Sequence, residues 1–120
     1  MPYLNPNHRG LAYGDGYMQS DGKCGQVVCL VGSDLFAVNE NWEVRSFGIL
    51  IKDCKAGEMP GIFCCGGVYE TDVFDGTITP GDDLFVSGEG KLMSETETGS
   101  IVVGQAISCS NGVLKFRLLI

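Results

Sequence analysis

The sequence predicts an all-β domain, a small barrel or sandwich built from two repeated β meanders, with an extended N-terminal arm. Three observations carry this. The second half repeats the layout of the first, turn-forming residues punctuate the chain at short intervals, and the segments between turns are apolar or alternate apolar with polar. In the repeat, Asp34-Leu35-Phe36 answers to Asp83-Leu84-Phe85, Gly48-Ile49-Leu50-Ile51 to Gly104-Gln105-Ala106-Ile107, and Gly61-Ile62-Phe63 to Gly112-Val113-Leu114. The spacing drifts between the copies, as loop insertions and deletions between fixed strands would make it do. At 120 residues with 18 Gly, one modest core is expected.

Residues 1–25 stand apart. They carry Gly, Asn, Pro and three tyrosines (Tyr3, Tyr13, Tyr17) with no period of 2 or 3.6, and read as an extended arm rather than a packed element. Residues 26–120 read as the β domain, with copies over approximately 26–74 and 75–120. Strands are expected at 26–31, 35–38, 42–51, 61–65, 67–74, 84–87, 91–93, 101–109 and 113–119. Their boundaries are the turn signals Gly32-Ser33-Asp34, Asn39-Glu40-Asn41, Gly57 to Gly61, Gly66-Gly67, Asp75-Gly76 and Pro80-Gly81-Asp82. Asn111-Gly112 is the strongest hairpin signal, because both residues tolerate the positive φ of a type I′ turn. In the last strand Leu114, Phe116, Leu118 and Ile120 alternate with Lys115 and Arg117, so one face is core and the other wet. Residues 94–99 read as a polar exposed loop, and Asp53 to Glu58 leaves room for a single helical turn.

Charge narrows the partners. The net charge is −7, and residues 66–100 alone hold eight acids against Lys91. Binding of free nucleic acid needs a basic stripe that this chain lacks; an acidic rim suits solubility or a basic protein partner. No run of about 18 apolar residues exists to span a bilayer as a helix. The N-terminus has neither a basic start nor an apolar core, so no secretory signal is read there and no membrane partner is expected. With no such signal, the six cysteines are read mostly as reduced packing residues. Adjacent Cys64 and Cys65, read within a strand, are expected to point to opposite faces.

Catalytic and metal chemistry find little support. His8 is the sole histidine and lies in the arm, away from any cysteine it would have to activate. Cys24 and Cys29 have loose zinc spacing and Cys64-Cys65 none, so no metal or other cofactor is expected. Asp72, Asp75, Asp82 and Asp83 match no EF-hand loop. Gly88-Glu89-Gly90-Lys91 has Phe85 and Leu92 where a phosphate loop needs Gly and Ser or Thr, and reads as a hairpin turn. The chain is therefore read as a non-enzyme. A carbohydrate-binding module is the alternative, which would need an aromatic platform beyond the single Trp42; a small hydrolase using a cysteine or paired acids is the more distant rival.

The second copy carries a family resemblance. Thr79-Pro80-Gly81-Asp82-Asp83-Leu84-Phe85-Val86, then Gly90-Lys91-Leu92, then Ile101 to Ile107 around Val103-Gly104-Gln105-Ala106, then Gly112 to Leu118, resembles the capsid decoration, or cement, proteins of tailed bacteriophages. The likeness is close over 79–119 and extends over 26–120 as layout; the cysteines and the arm have no match in it. It implies assembly in the host cytoplasm and a place on the virion, on the outside of the capsid, bound to the major capsid protein. A trimer on a local threefold fits the resemblance, and monomers and dimers serve too. The residues expected to touch the capsid are Tyr3, Leu4, Pro6, Arg9, Leu11, Tyr13 and Tyr17 of the arm, because aromatic and Arg anchors dominate interfaces, with Lys115 and Arg117 added from the last strand.

Overall fold

The protein was analysed as a computed structural model that describes residues 3–94 and 100–120. Its ten strands are β1 (Leu4–Tyr13), β2 (Tyr17–Met18), β3 (Val27–Gly32), β4 (Leu35–Val38), β5 (Gly48–Leu50), β6 (Ile62–Thr71), β7 (Asp83–Val86), β8 (Leu92–Met93), β9 (Gly104–Ser110) and β10 (Val113–Leu118). They form one sheet in the order β2-β4-β3-β5-β6-β10-β9-β7-β8, with β1 paired to β6 off that path. The domain is all-β, and among the described residues there is no helix. Residues Asp53 to Glu58 form turns instead, held where Gly22 and Cys54 exchange backbone hydrogen bonds. The polar loop expected at 94–99 lies, apart from Ser94, outside the described residues.

β6 organises the sheet by serving two partners on one edge. Its first residues pair with β5, Phe63 opposite Ile49 and Ile62 opposite Leu50. Its last pair with β10, from Val68 opposite Arg117 to Thr71 opposite Leu114. Gly66 and Gly67 lie between, at φ +66° and +103°, a conformation that favours glycine. They let one strand change partner without ending. What reads in the sequence as two strands, 61–65 and 67–74, is thus one strand with a break in its middle.

The other edge of β6 is taken by β1 along nearly its whole length, from Leu4 opposite Thr71 to Tyr13 opposite Ile62. The segment read as lacking a packed element is therefore a ten-residue strand. Register shifts between Pro6 and His8 and between Leu11 and Ala12 break its alternation, which is why no period of 2 is visible. A Cβ on Gly10 would run into the carbonyls of Cys65 and Gly66, so only glycine brings the two backbones this close. β2 ties the segment further: it pairs in parallel with β4 and buries Met18 to 1% exposure.

Alternation on the central strands splits the interior in two. Val27, Ile49 and Phe63 face a larger core with Tyr69, Leu84, Leu92, Leu114 and Phe116. Their neighbours Val28, Leu50 and Ile62 face a smaller one with Met18, Phe36 and Cys54. This is the two-fold side-chain period of a strand buried on both faces. The segments read as repeats occupy comparable places around the β6–β10 pair, with β5 beside β6 and β9 beside β10. They differ in that β3 lies between β4 and β5 while β7 follows β9 directly. The expected strand 42–51 shrinks to β5, because Asn39 holds residues 39–46 as a loop. Asn39 is fully buried, donates to the Val44 carbonyl and Ser46 Oγ, each at 3.0 Å, and accepts from the Asn41 amide at 3.0 Å. The Asn111-Gly112 turn has the expected positive φ at both residues, +54° and +74°.

Tyr69 is the bolt of this arrangement. Its hydroxyl accepts from the Gly10 amide at 3.1 Å and donates to the Gly66 carbonyl at 3.0 Å, while its ring is fully buried beside Phe63 and Phe116. Tyr69→Phe is expected to cost about 1–3 kcal/mol, the usual penalty for stranding buried polar groups. Gly10→Ala should cost more, because backbone rather than side chain must move. Urea unfolding checks both through a lower midpoint at unchanged m; equal midpoints for all three proteins would mean that the β1–β6 crossing does not hold the fold.

Candidate functional site

The structure places the residues expected at a contact surface just before β1 (Tyr3), on β1, at the start of β2 (Tyr17) and on β10, which lies across β6 from β1. Cross-strand rows set their neighbours: Asn5–Glu70–Lys115 in one row, His8–Val68–Arg117 in the next. The outer face of β1, β6 and β10 is therefore polar. Asn7 donates to Glu70 Oε1 at 2.8 Å, and Arg117 donates to Gln105 Oε1 at 2.9 Å. Lys115 is half-buried and Arg117 exposed, which matches the wet face expected of the last strand.

Within the N-terminal segment the residues divide by exposure. Leu11 (69%), Tyr17 (62%) and Tyr3 (39%) present apolar surface to solvent. Pro6 is exposed, where a residue without an amide donor is tolerated on an edge strand. The exposed Arg9 holds its guanidinium 5.6 Å from the centre of the Phe63 ring. Leu4 packs against the larger core. Tyr3 is fixed through its backbone: its amide donates to Asp72 Oδ1 at 2.8 Å, and its carbonyl accepts from Thr71 Oγ1 at 2.6 Å.

Tyr13 is engaged within the chain. Its ring meets Phe36 and Phe47 edge-on, with centroids 5.8 and 5.4 Å away, and its hydroxyl donates to Asp34 Oδ1 at 2.6 Å. Asp34 lies in the β3–β4 turn at φ +54°, and its carbonyl accepts from the Tyr17 amide at 3.1 Å. One turn residue thus clamps both ends of the β1–β2 connection. Sequence reading missed this role of Asp34, which figured there only in the Gly32-Ser33-Asp34 turn and the Asp34-Leu35-Phe36 repeat element.

The remaining polar groups are dispersed. Asp72 and Asp82 accept backbone amides in separate places, and Asp75 and Glu89 pair with Lys91 at 3.7 and 3.2 Å. Among the described residues no three His, Cys, Asp or Glu side chains gather as a metal site. His8 is exposed on β1. Gly88 to Lys91 form a turn, with the Ser87 amide bonded to the Lys91 carbonyl at 2.7 Å. Cys29 and Cys54 are buried, Cys24, Cys64 and Cys109 half-buried, and Cys65 exposed; burial pushes the thiols of Cys24, Cys29, Cys54 and Cys64 upward. The expectation that Cys64 and Cys65 point apart is corrected: their Sγ atoms lie 3.7 Å from each other, because the glycine break begins at the next residue and ends the regular pleat.

With this geometry in hand, the chain can be set beside known proteins. No protein-family description and no curated protein matches it. Among solved structures it is similar to the N base of the head fiber protein gp8.5 of bacteriophage phi29. The match has a TM-score of 0.64 and 15% identity, and covers 90% of this chain and 92% of that one. The two share a fold. At this identity the likeness speaks for architecture alone.

The hydrogen bond to Asp34, aided by burial and by the charges of Asp34 and Asp15, pushes the Tyr13 phenol from 10.0 up to about 12. The unfolded chain loses this proton first, so the stability tied to the bond is whole below the ordinary value and is lost as pH rises through the raised one. Ultraviolet titration of the folded protein should show a late phenolate near pH 12 that Tyr13→Phe removes. In the same variant the fall in stability above pH 10 should be shallower. An unaltered titration curve would mean that the Tyr13–Asp34 bond does not form.

Proposed function

We propose that this protein is a non-enzymatic structural component of a tailed-phage virion that binds the outside of the capsid and stabilises it. The observation that carries the reading is the fold shared with a phage head fiber base; the sequence of residues 79–119, which resembles capsid decoration proteins, supports it independently. The partner is the major capsid protein, met in the host cytoplasm where heads assemble, and a homotrimer on a local threefold suits the exposed β1 edge.

The contact surface is the N-terminal face. Leu11, Tyr17 and Tyr3 supply exposed apolar area, Pro6 and Arg9 lie between them along the strand, and Lys115 and Arg117 add positive charge from β10. Tyr13 and Leu4 serve this surface from below, by fixing the strand to the two cores. Each contact is modest. Repetition over many equivalent sites, or linkage of copies in an oligomer, makes attachment durable through effective concentration.

Removing residues 1–25 is not a clean test, since it would uncover the edge of β6 and delete Met18, whose burial alone is worth about 1.5–3 kcal/mol. Substitutions on the exposed face are cleaner. Leu11→Asp combined with Tyr17→Asp should leave the unfolding free energy measured in urea within about 0.5 kcal/mol of the parent, as surface changes usually do. The same pair should weaken cosedimentation with heads that lack the protein by at least about tenfold, the change equivalent to 1.4 kcal/mol. Heads saturated with the parent protein should survive heating better than bare heads. If the parent protein fails to sediment with heads, the capsid reading is wrong.

A further inference from the structure

Adjacent cysteines in a regular strand point to opposite faces, but the regular pleat of β6 is interrupted here. The strand leaves β5 after Phe63 and meets β10 only at Val68. Between these points the Sγ atoms of Cys64 and Cys65 lie 3.7 Å apart. Both residues line an open cleft with Leu30 and Phe47, and Cys65 is exposed, so solvent reaches the pair. Hydrogen bonding separates these two from other thiols. Cys24 donates to the Ile51 carbonyl at 3.2 Å, and Cys54 turns to the carbonyls of Lys55 and Glu58. Among the described residues, Cys64 and Cys65 find a thiol partner only in each other.

Two sulfurs so close have two uses, and distance decides between them. A disulfide needs its sulfurs about 2.05 Å apart and its Cα atoms about 4.4–6.8 Å apart. Consecutive Cα atoms across a trans peptide are held at about 3.8 Å, and no peptide bond here is cis, so closing that ring strains the strand. A tetrahedral d¹⁰ ion asks for less. With each thiolate about 2.3 Å from the ion, the two sulfurs sit about 3.8 Å apart, and the pair already stands at that bite. Among the described residues no third His, Cys, Asp or Glu joins it, which leaves two positions of the ion to water. Each thiol gives its proton to solvent as its bond to the ion forms, and no electron is transferred. Burial raises the Cys64 thiol, so its proton is the harder to displace; the exposed Cys65 takes the ion first and Cys64 closes the chelate.

We infer that Cys64 and Cys65 form a two-thiolate site, within one chain, for a single thiophilic cation of the zinc and cadmium class. The site stands on its own geometry and does not rest on the capsid reading.

The full chain, reduced and then freed of reductant, is titrated with cadmium chloride while the ultraviolet thiolate-to-cadmium charge-transfer band is followed. One ion per chain should saturate the band. Cys64→Ser and Cys65→Ser, each checked for an unchanged circular dichroism spectrum, should weaken binding at least about a hundredfold, the low end of what linking two binding groups contributes. Cys109→Ser, at a half-buried position on β9, should bind like the parent. A second measurement needs no variant: one equivalent of cadmium should slow N-ethylmaleimide alkylation of Cys64 and Cys65 at least about tenfold and leave Cys109 unchanged, because the bound thiolate is no longer the free nucleophile. A band of full strength and affinity in Cys65→Ser, or cadmium protection spread evenly over the six cysteines, would overturn the site. Saturation at one ion per two chains would assign the open positions to a second copy and likewise overturn a site within one chain.

Discussion

A strand has two edges, and most of this structure follows from how β6 spends them. On one edge it carries β5 and then β10, so the two halves of the chain are joined through one continuous backbone rather than by packing alone. The joint needs a place where the strand can turn, and Gly66-Gly67 supplies it at positive φ. It also needs something to stop that place from flexing. Tyr69 answers by bonding Gly66 on its own strand and Gly10 on the neighbouring one, with a ring anchored between Phe63 and Phe116. A hydroxyl so placed is worth more than a surface hydrogen bond, because it is bonded on both sides, sits on a fully buried ring and meets partners that are themselves half-buried.

The second edge of β6 explains the N-terminal segment. β1 spans both halves of β6, so it splints the break from the far side. Its inward groups fix it: Leu4 on the larger core, Tyr13 among the aromatics of the smaller one. Its outward groups include Leu11 and Arg9, both exposed. The same ten residues therefore reach the two cores on one side and solvent on the other.

How far this was legible in the sequence depends on whether a feature is local. The Asn111-Gly112 hairpin and the alternation of β10 are set by neighbouring residues, and both stand as read. The all-β class follows from the sum of such signals. β1 was hidden because two register shifts scramble its alternation and Pro6 argues against a central strand, although an edge strand accommodates it. The 61–65 and 67–74 strands read as two because a Gly-Gly pair normally ends a strand, and only contacts far along the chain make it a bend within one. Of the residues expected at a contact, Leu11 and Tyr17 are exposed. For Tyr13 the internal partner Asp34 is 21 residues away, a distance at which no local pattern could reveal it.

The antiparallel register of β1 against β6 also gives the molecule a direction of strength. Leu4 lies opposite Thr71 and Tyr13 opposite Ile62. A tensile load gripped at Leu4 and resisted through the Thr71 end peels the ladder one pair at a time. The same load resisted through the Ile62 end pulls along the strands and must shear their hydrogen bonds together. A load carried by β1 thus meets a fastener that yields easily to lifting at one end and resists sliding, so the direction of pull governs how much force the joint bears.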